Sequence, residues 1–289
     1  MHQKDCGQAL PIVVHSYRSK LKDPRQLAAE MLQDLRSSRE LAWRLLVRDI
    51  SAQYRQSYLG FFWAFIPPIV MAVGLTLASN AKVITFSETD VPYPAYVMFN
   101  TVIWQTFVEA VQGPIQAVTQ AKLMLAKINF PREALILAKL GEVGFNFAIK
   151  LVLIVGLFIW FHIPVSWTIV LAPVALIHLI FLGTLVGVFL APLSALYQDF
   201  SKSLTLLTGF WLFLTPVIYP VPQEGTFSWL VRLNPVTPLL VTLRELTTAS
   251  ELSSPVGFWI ASAIALIGLL LAWVIYRLAM PFAIERMSS

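Results

Sequence analysis

Two registers of apolar and polar positions succeed one another along this chain. A two-faced helical pattern runs to about residue 58, and long uncharged apolar runs follow it. Ala42, Leu46, Val47, Ile50 and Tyr54 share one helical stripe, while Arg44, Arg48 and Arg55 share another. A helix of this kind lies at a bilayer surface with its arginines toward headgroups or cytosol. The pattern therefore predicts an amphipathic interfacial helix over 37–58, opened by a capping box of Ser37 and Glu40. Upstream, Asp23 and Pro24 make an N-cap and a first helical position, and Leu27, Met31, Leu32 and Leu35 continue an apolar stripe. Residues 1–36 are thus expected to be a cytosolic tail with a short helix of its own. A solvated tail over 24–57 is the plainer alternative, and the helical periodicity argues against it.

Gaps between formal charges place the later elements, because a charge at the bilayer centre costs about 2.5–3.5 kcal/mol on insertion scales. Residues 56–81, 91–108 and 252–276 are uncharged, and no formal charge stands between Lys150 and Asp199. With roughly 20 apolar residues needed per crossing, the expected architecture is an all-α integral membrane protein of six transmembrane helices. The spans fall at about 59–80, 93–118, 133–161, 167–193, 203–220 and 255–277, within a domain covering 59–282, and residues 283–289 form a cytosolic tail. Pro67 and Pro68 fall inside the first span, so a bent helix is expected there. Between the fifth and sixth spans, residues 227–246 hold apolar runs broken by Arg232, Pro235, Pro238 and Arg244. They are too short to cross, and read as re-entrant outer helices.

Composition narrows the class. Apolar residues make up 57% of 289 and charged residues 13%, with a mean hydropathy of +0.70, which does not describe a soluble domain. The net charge of +5 reflects topology and not nucleic acid, since most basic residues precede the first span. With six spans the cytosolic side receives those residues together with Lys122, Lys127, Arg132, Lys139, Lys202, Arg277 and Arg286. The outer side keeps Lys82, Arg232 and Arg244, so both termini are expected in the cytosol. A single cysteine, Cys6, excludes an internal disulfide or a CxxC site.

Enzyme chemistry finds no foothold. His2, His15, His162 and His178 form no HExxH and no metal-ligand spacing, so no metal site is expected. Neither a GxSxG elbow nor a GxxxxGK[ST] phosphate loop occurs in the sequence. His178 reads as a packed helix residue.

Glu109, Glu142 and Lys150 lie inside predicted spans and must face protein or water. Lys150 is about 12 Å beyond Glu142 along one helix, too far to pair with it directly. An inter-helix polar contact or the wall of a wet cavity is favoured over a proton relay. Tyr96, Asn100, Trp104 and Phe107 recur at helical spacing, and such rings suit a pore that stacks flat sugar faces, with ordinary packing as the alternative. Gly183 and Gly187 form a GxxxG pair that signals close helix contact. The basic amphipathic stretch 121–139, with Leu123, Met124 and Phe130 and with Pro131 opening the next helix, reads as a docking surface for a cytosolic partner.

Further positions carry a resemblance. Arg48 and Asp49 with Tyr54, Leu59, Gly60, Trp63 and Pro67 come first, followed by the run Asn129, Phe130, Pro131, Arg132, Glu133. Tyr197, Gln198, Asp199 and Phe200 come next, then Pro216, Val217, Ile218 and Tyr219. Asn234, Pro235, Pro238, Leu239 and Arg244 close the series. In this order, over residues 36–282, the chain resembles the transmembrane subunits of type 2 ABC exporters, in the branch that exports O-antigen, capsular polysaccharide or teichoic acid. Members of that branch more often carry arginine where Gln198 stands.

The resemblance implies a non-enzymatic permease in the cytoplasmic membrane of a bacterium. It would pair with itself as a homodimer and with two cytosolic ABC ATPase subunits, which would hold the ATP and Mg. The substrate would be a lipid-linked polysaccharide, or in an alternative reading a small lipid or drug. Arg48, Lys122, Lys127, Phe130, Arg132 and Asp199 would dock the ATPase. Tyr96, Asn100, Trp104, Phe107, Glu109, Glu142 and Lys150 would line the channel, and Arg232, Asn234, Pro235, Pro238 and Arg244 would form an outer gate. A secondary transporter would need coupling-ion sites, and a membrane glycosyltransferase would need catalytic carboxylates at an aqueous face.

Overall fold

A computed structural model of the chain describes residues 24–55, 58–82, 89–128, 130–222, 224–225 and 228–288, and all its regular elements among them are helices. The expectations on residues 1–23, Cys6 included, and on Asn129 and Phe227 fall outside the described residues. So do those on the side chains of Leu27, Leu123 and Gln198.

Helix α1 (Pro24–Arg55) is one unbroken element, where the sequence suggested a boundary near residue 37. Ser37 and Ser38 do not cap a new helix. Both hydroxyls donate back to the carbonyl of Asp34, at 3.0 and 2.6 Å, the mid-helix alternative to capping. Met31, Ser38, Ala42 and Leu45 make a continuous buried stripe, and tertiary packing along it carries the helix through the Ser pair.

The first apolar segment also departs from expectation. A 3-10 turn over Gly60–Ala64 precedes α2 (Ile66–Asn80), and Pro67 and Pro68 occupy the first turn of α2 and not its interior. Proline is tolerated there because the first N–H groups of a helix have no intrahelical acceptor. Gly60 takes φ +49°, a left-handed conformation that glycine adopts without strain.

Helix α3 (Tyr93–Gln120) is the hub, packed against α2, α5, α6, α7 and α9. Its closest neighbour is α6 (Ala172–Leu196), which follows a 3-10 turn at Trp167–Leu171. A Cβ on Gly187 would come 2.3 Å from the Val111 carbonyl oxygen, and one on Gly183 would come 2.8 Å from that of Phe107. The glycine pair therefore permits the close approach that its spacing signals.

The short α4 (Lys122–Lys127) leads to α5 (Glu133–Trp160), whose N-cap is Arg132, so Pro131 lies just outside the helix it was expected to open. Helix α10 (Pro255–Ser288) runs on past residue 277 through Pro281. Among the described residues three helical stretches, Glu133–Trp160, Trp167–Leu196 and Pro255–Arg286, are long and apolar enough to cross a membrane. His178 is packed as expected: its Nδ1 lies 2.7 Å from the Val174 carbonyl and its ring stands edge-on to Phe258.

Helix α7 (Gln198–Phe213) stops short of the expected 203–220. Residues of α3 hold the chain after it: Tyr96 donates to the carbonyls of Pro216 (3.3 Å) and Tyr219 (2.9 Å), Asn100 to Val217 (3.2 Å) and Tyr93 to Ile218 (3.0 Å). These bonds satisfy carbonyls of a segment whose Pro216 and Pro220 cannot donate to a continuing helix. Helices α8 (Ser228–Leu233) and α9 (Val236–Thr247) follow, and α9 is buried almost throughout its twelve residues.

Candidate functional site

Most of α3 is covered by its neighbours, and one stripe is not. Gln105, Val108, Glu109, Gln112, Gln116, Thr119 and Gln120 are its uncovered positions below Asn100, at the i, i+3, i+4, i+7 recurrence of a single helix face. Gln105, Val108, Glu109 and Gln112 of this stripe border a cavity of about 560 Å³. Gln53 and Tyr54 of α1, Trp63 and Pro67 at the start of the first apolar segment, Asn146 and Lys150 of α5, and Thr205 and Thr208 of α7 complete its wall.

A chain of polar contacts ties three helices at this wall. Lys150 of α5 donates to a carboxylate oxygen of Glu109 on α3 in a short ion pair. Asn146 donates to the other oxygen at 3.4 Å, and Tyr54 of α1 donates to Asn146 at 3.2 Å. Lys150 is buried while Glu109 is 32% exposed, so the pair is neutral as a unit and presents its acceptor side to the cavity. The partner of Lys150 is therefore Glu109 on another helix, 41 residues away in the chain, an inter-helix polar contact.

Glu142 does not join this wall. It accepts from Lys139 at 2.6 Å, Lys139 lies 3.3 Å from Asp49, and Asp49 accepts from Arg48 at 2.8 and 2.9 Å. That relay of charges seams α1 to α5 beside a smaller cavity of about 200 Å³. Three of the four residues expected on an aromatic channel stripe are likewise placed elsewhere. Tyr96, Asn100 and Phe107 are buried within the chain, the first two holding residues 216–219 and the third packed against Trp104 and Trp211. Trp104 alone of the four reaches the cavity. The stripe one position further round, Gln105, Gln112 and Gln116 with Glu109, was legible as four polar residues at helical spacing in an otherwise apolar helix.

At the other end, Asn234 is a junction. Its Oδ1 accepts from Trp211 Nε1 and from the Val236 amide, both at 3.1 Å, and its Nδ2 donates to Thr215 Oγ1 (2.8 Å) and the Leu214 carbonyl (3.1 Å). Pro235 caps α9, and Pro238 faces Gly257 of α10. Arg244 is 6% exposed, with its guanidinium 4.7 Å over the Tyr96 ring. Arg232 is exposed.

Residues expected to meet a cytosolic partner fall into two groups. Arg48, Lys127 and Asp199 are exposed; Lys122, Phe130 and Arg132 are half-buried. Phe130 and Met124 pack on the core, which covers apolar surface that the sequence left open to a partner. Behind them Arg277 of α10 gathers Asp34 (2.6 Å), Glu133 (3.4 Å) and Glu30 (3.5 Å), fixing both ends of this face.

A family profile described as ABC-2 type transporter matches residues 40–247. The chain belongs to that family. The matched region of this ABC-2 transporter chain runs from the middle of α1 to the last residue of α9, and it contains every residue of the cavity wall. Two curated relatives agree. The O-antigen export system permease protein RfbA of Myxococcus xanthus is 28% identical over 224 residues, covering 75% of this chain and 83% of its own. The protein of the same name from Klebsiella pneumoniae is 22% identical over 205 residues, covering 69% and 76%.

Proposed function

We propose that this chain is the membrane-embedded half of an ATP-driven exporter of a lipid-linked polysaccharide, an O-antigen or capsule-like polymer, working as a homodimer in the cytoplasmic membrane of a bacterium. The observation that carries the reading is the uncovered polar wall of α3. Carboxamides, a carboxylate and two indoles suit a hydroxyl-rich chain: amides and acids exchange hydrogen bonds with sugar hydroxyls, while Trp63 and Trp104 offer flat apolar faces. A wall of that kind is costly against hydrocarbon, where each unsatisfied polar group loses several kcal/mol. Leu206, Leu207, Phe210 and Phe213 of α7 are exposed on the neighbouring surface. A second copy meeting this apolar rim would enclose the polar wall in a shared channel.

In this reading α2, α3 and α7 cross the membrane with α5, α6 and α10, giving six spans and cytosolic termini. Helices α8 and α9 are re-entrant from the outer side, since irregular backbone at that depth survives where protein covers it. Two ATPase subunits, holding the ATP and Mg, dock on the face built by Arg48, Lys122, Lys127, Phe130, Arg132 and Asp199. That the relatives named O-antigen export permeases align over most of their length supports the substrate class.

The test is reconstitution. The chain copurified with its ATPase and placed in liposomes is expected to move a fluorescent lipid-linked oligosaccharide only when ATP is supplied. Retention of the oligosaccharide on its original side, with ATP hydrolysed normally, would sink the substrate assignment.

A further inference from the structure

Helices α5 and α6 follow one another in the chain, and both are long and apolar enough to cross a membrane. Each packs on α3, and a cleft of about 580 Å³ lies between them. Phe99 and Ile103 of α3 and Leu243 of α9 line it, while Ile154, Phe158 and Leu176 belong to its two sides; no charged residue lines it. An apolar cavity of this size stays dry, and left empty its walls would forfeit dispersion contacts on one side.

Its length identifies what fits. On α5 the lining runs from Ile159 to Phe147, which at about 1.5 Å per residue is roughly 18 Å. The hydrocarbon layer is about 30 Å thick, so the cleft spans a little over one leaflet. Trp160 and Trp167 flank its end by the turn at residues 161–166, 79% and 81% exposed, in the manner of side chains at the headgroup level.

We infer that the cleft is a binding site for one acyl chain of a bilayer phospholipid, its ester region level with Trp160 and Trp167 and its terminus beside Phe147. A dry slot of about 580 Å³ and a little over one leaflet deep, lying between two helices apolar enough to span, suits a hydrocarbon chain. Because Leu243 lines the cleft, the bound chain also buttresses α9 against α3. The inference stands apart from the substrate assignment, since it concerns hydrocarbon on the side of α3 away from the polar wall.

The full chain in nanodiscs of phosphatidylcholine carrying a diazirine on one acyl chain tests it, with adducts located by peptide mass spectrometry. Adducts are expected to concentrate on Ile154, Phe158 and Leu176 relative to Ile267 and Leu271, which α10 exposes. Leu176→Trp, which fills the cleft, should remove the cleft adducts and leave those on α10. If that variant does not fold, Ile169→Trp, which blocks the cleft from a position 39% exposed, should remove the same adducts and leave those on α10. Even labelling of α5, α6 and α10 would overturn the site. Selective displacement by a polyprenyl diphosphate but not by phospholipid would assign the cleft to the substrate's carrier, and cysteine cross-links across the cleft between copies would assign it to the dimer; either overturns the phospholipid.

Discussion

Arg244 of α9 lies with its guanidinium 4.7 Å over the ring of Tyr96 on α3, while the Tyr96 hydroxyl reaches the carbonyls of Pro216 and Tyr219. One side chain thus holds a buried cation by its face and the end of α7 by its tip. The two roles separate by mutation. Tyr96→Phe keeps the face and is expected to cost about 1–2 kcal/mol for the orphaned carbonyls. Tyr96→Leu loses the face as well and should cost about 2 kcal/mol more, the scale of a desolvated cation–π contact. Thermal unfolding in detergent measures both, and equal losses would show that the ring contact contributes nothing.

Asn234→Ala removes four hydrogen bonds that join α7 to the start of α9. At about 1 kcal/mol each, destabilisation of roughly 3–4 kcal/mol is expected. If α8 and α9 seal the outer mouth, bilayers holding the dimer of this variant should conduct small ions at rest. Background conductance with export still impaired would count against sealing.

The pair of Glu109 and Lys150 predicts a sign reversal between single and double variants. Glu109→Gln strands a buried ammonium and should cost on the order of 3 kcal/mol, whereas Glu109→Gln with Lys150→Met removes both charges and should recover most of that loss. Export is the second readout. If the recovered double variant transports normally, the pair serves packing alone and the cavity does not need its carboxylate.

Gly187→Ala places a methyl 2.3 Å from the Val111 carbonyl oxygen, so α6 must retreat from α3. Overpacking of this kind costs about 1–3 kcal/mol. Gly144→Ala meets nothing within 4 Å and should leave the unfolding temperature unchanged or slightly raised, which makes it the control.

At the cytosolic face, Arg132→Ala is a cleaner probe of ATPase docking than Phe130→Ala, because Phe130 packs on the chain's own core. Reduced ATPase recovery in a pull-down, with membrane insertion intact, is expected for Arg132→Ala. Undiminished recovery would remove Arg132 from the docking surface.

What could be read in advance followed from local rules. The charge gap after Asp90 marks the start of a helix at Tyr93, the glycine pair signals its close contact, and the resemblance leads to the ABC-2 family. Three features could not be read, each set by packing in the folded chain. Helix α1 passes through the Ser37 capping signal because Met31, Ala42 and Leu45 are buried along one face. Helix α7 ends at Phe213, and Tyr96 and Asn100, over a hundred residues upstream, hold the carbonyls of the irregular segment that follows. Arg244 is inside and not at the mouth because an aromatic face on α3 receives it. The polar stripe of α3 was open to a sequence reading, but the aromatic positions beside it drew the assignment one position away.

The central place of α3 bears on how the protein is made. Helix α3 carries its glutamines and Glu109 on one side and is absent from the three stretches apolar enough to cross unaided, yet it is translated before the two helices, α5 and α6, that shield it most. In the proposed six-span topology it must therefore wait at the insertion machinery, or lie at the interface, until the shield arrives. A chain truncated after α4 is expected to leave α3 outside the hydrocarbon, and extension through α6 to bring it in; a glycosylation site in the segment after Gln120 would report the change, modified while α3 stays out and unmodified once it crosses.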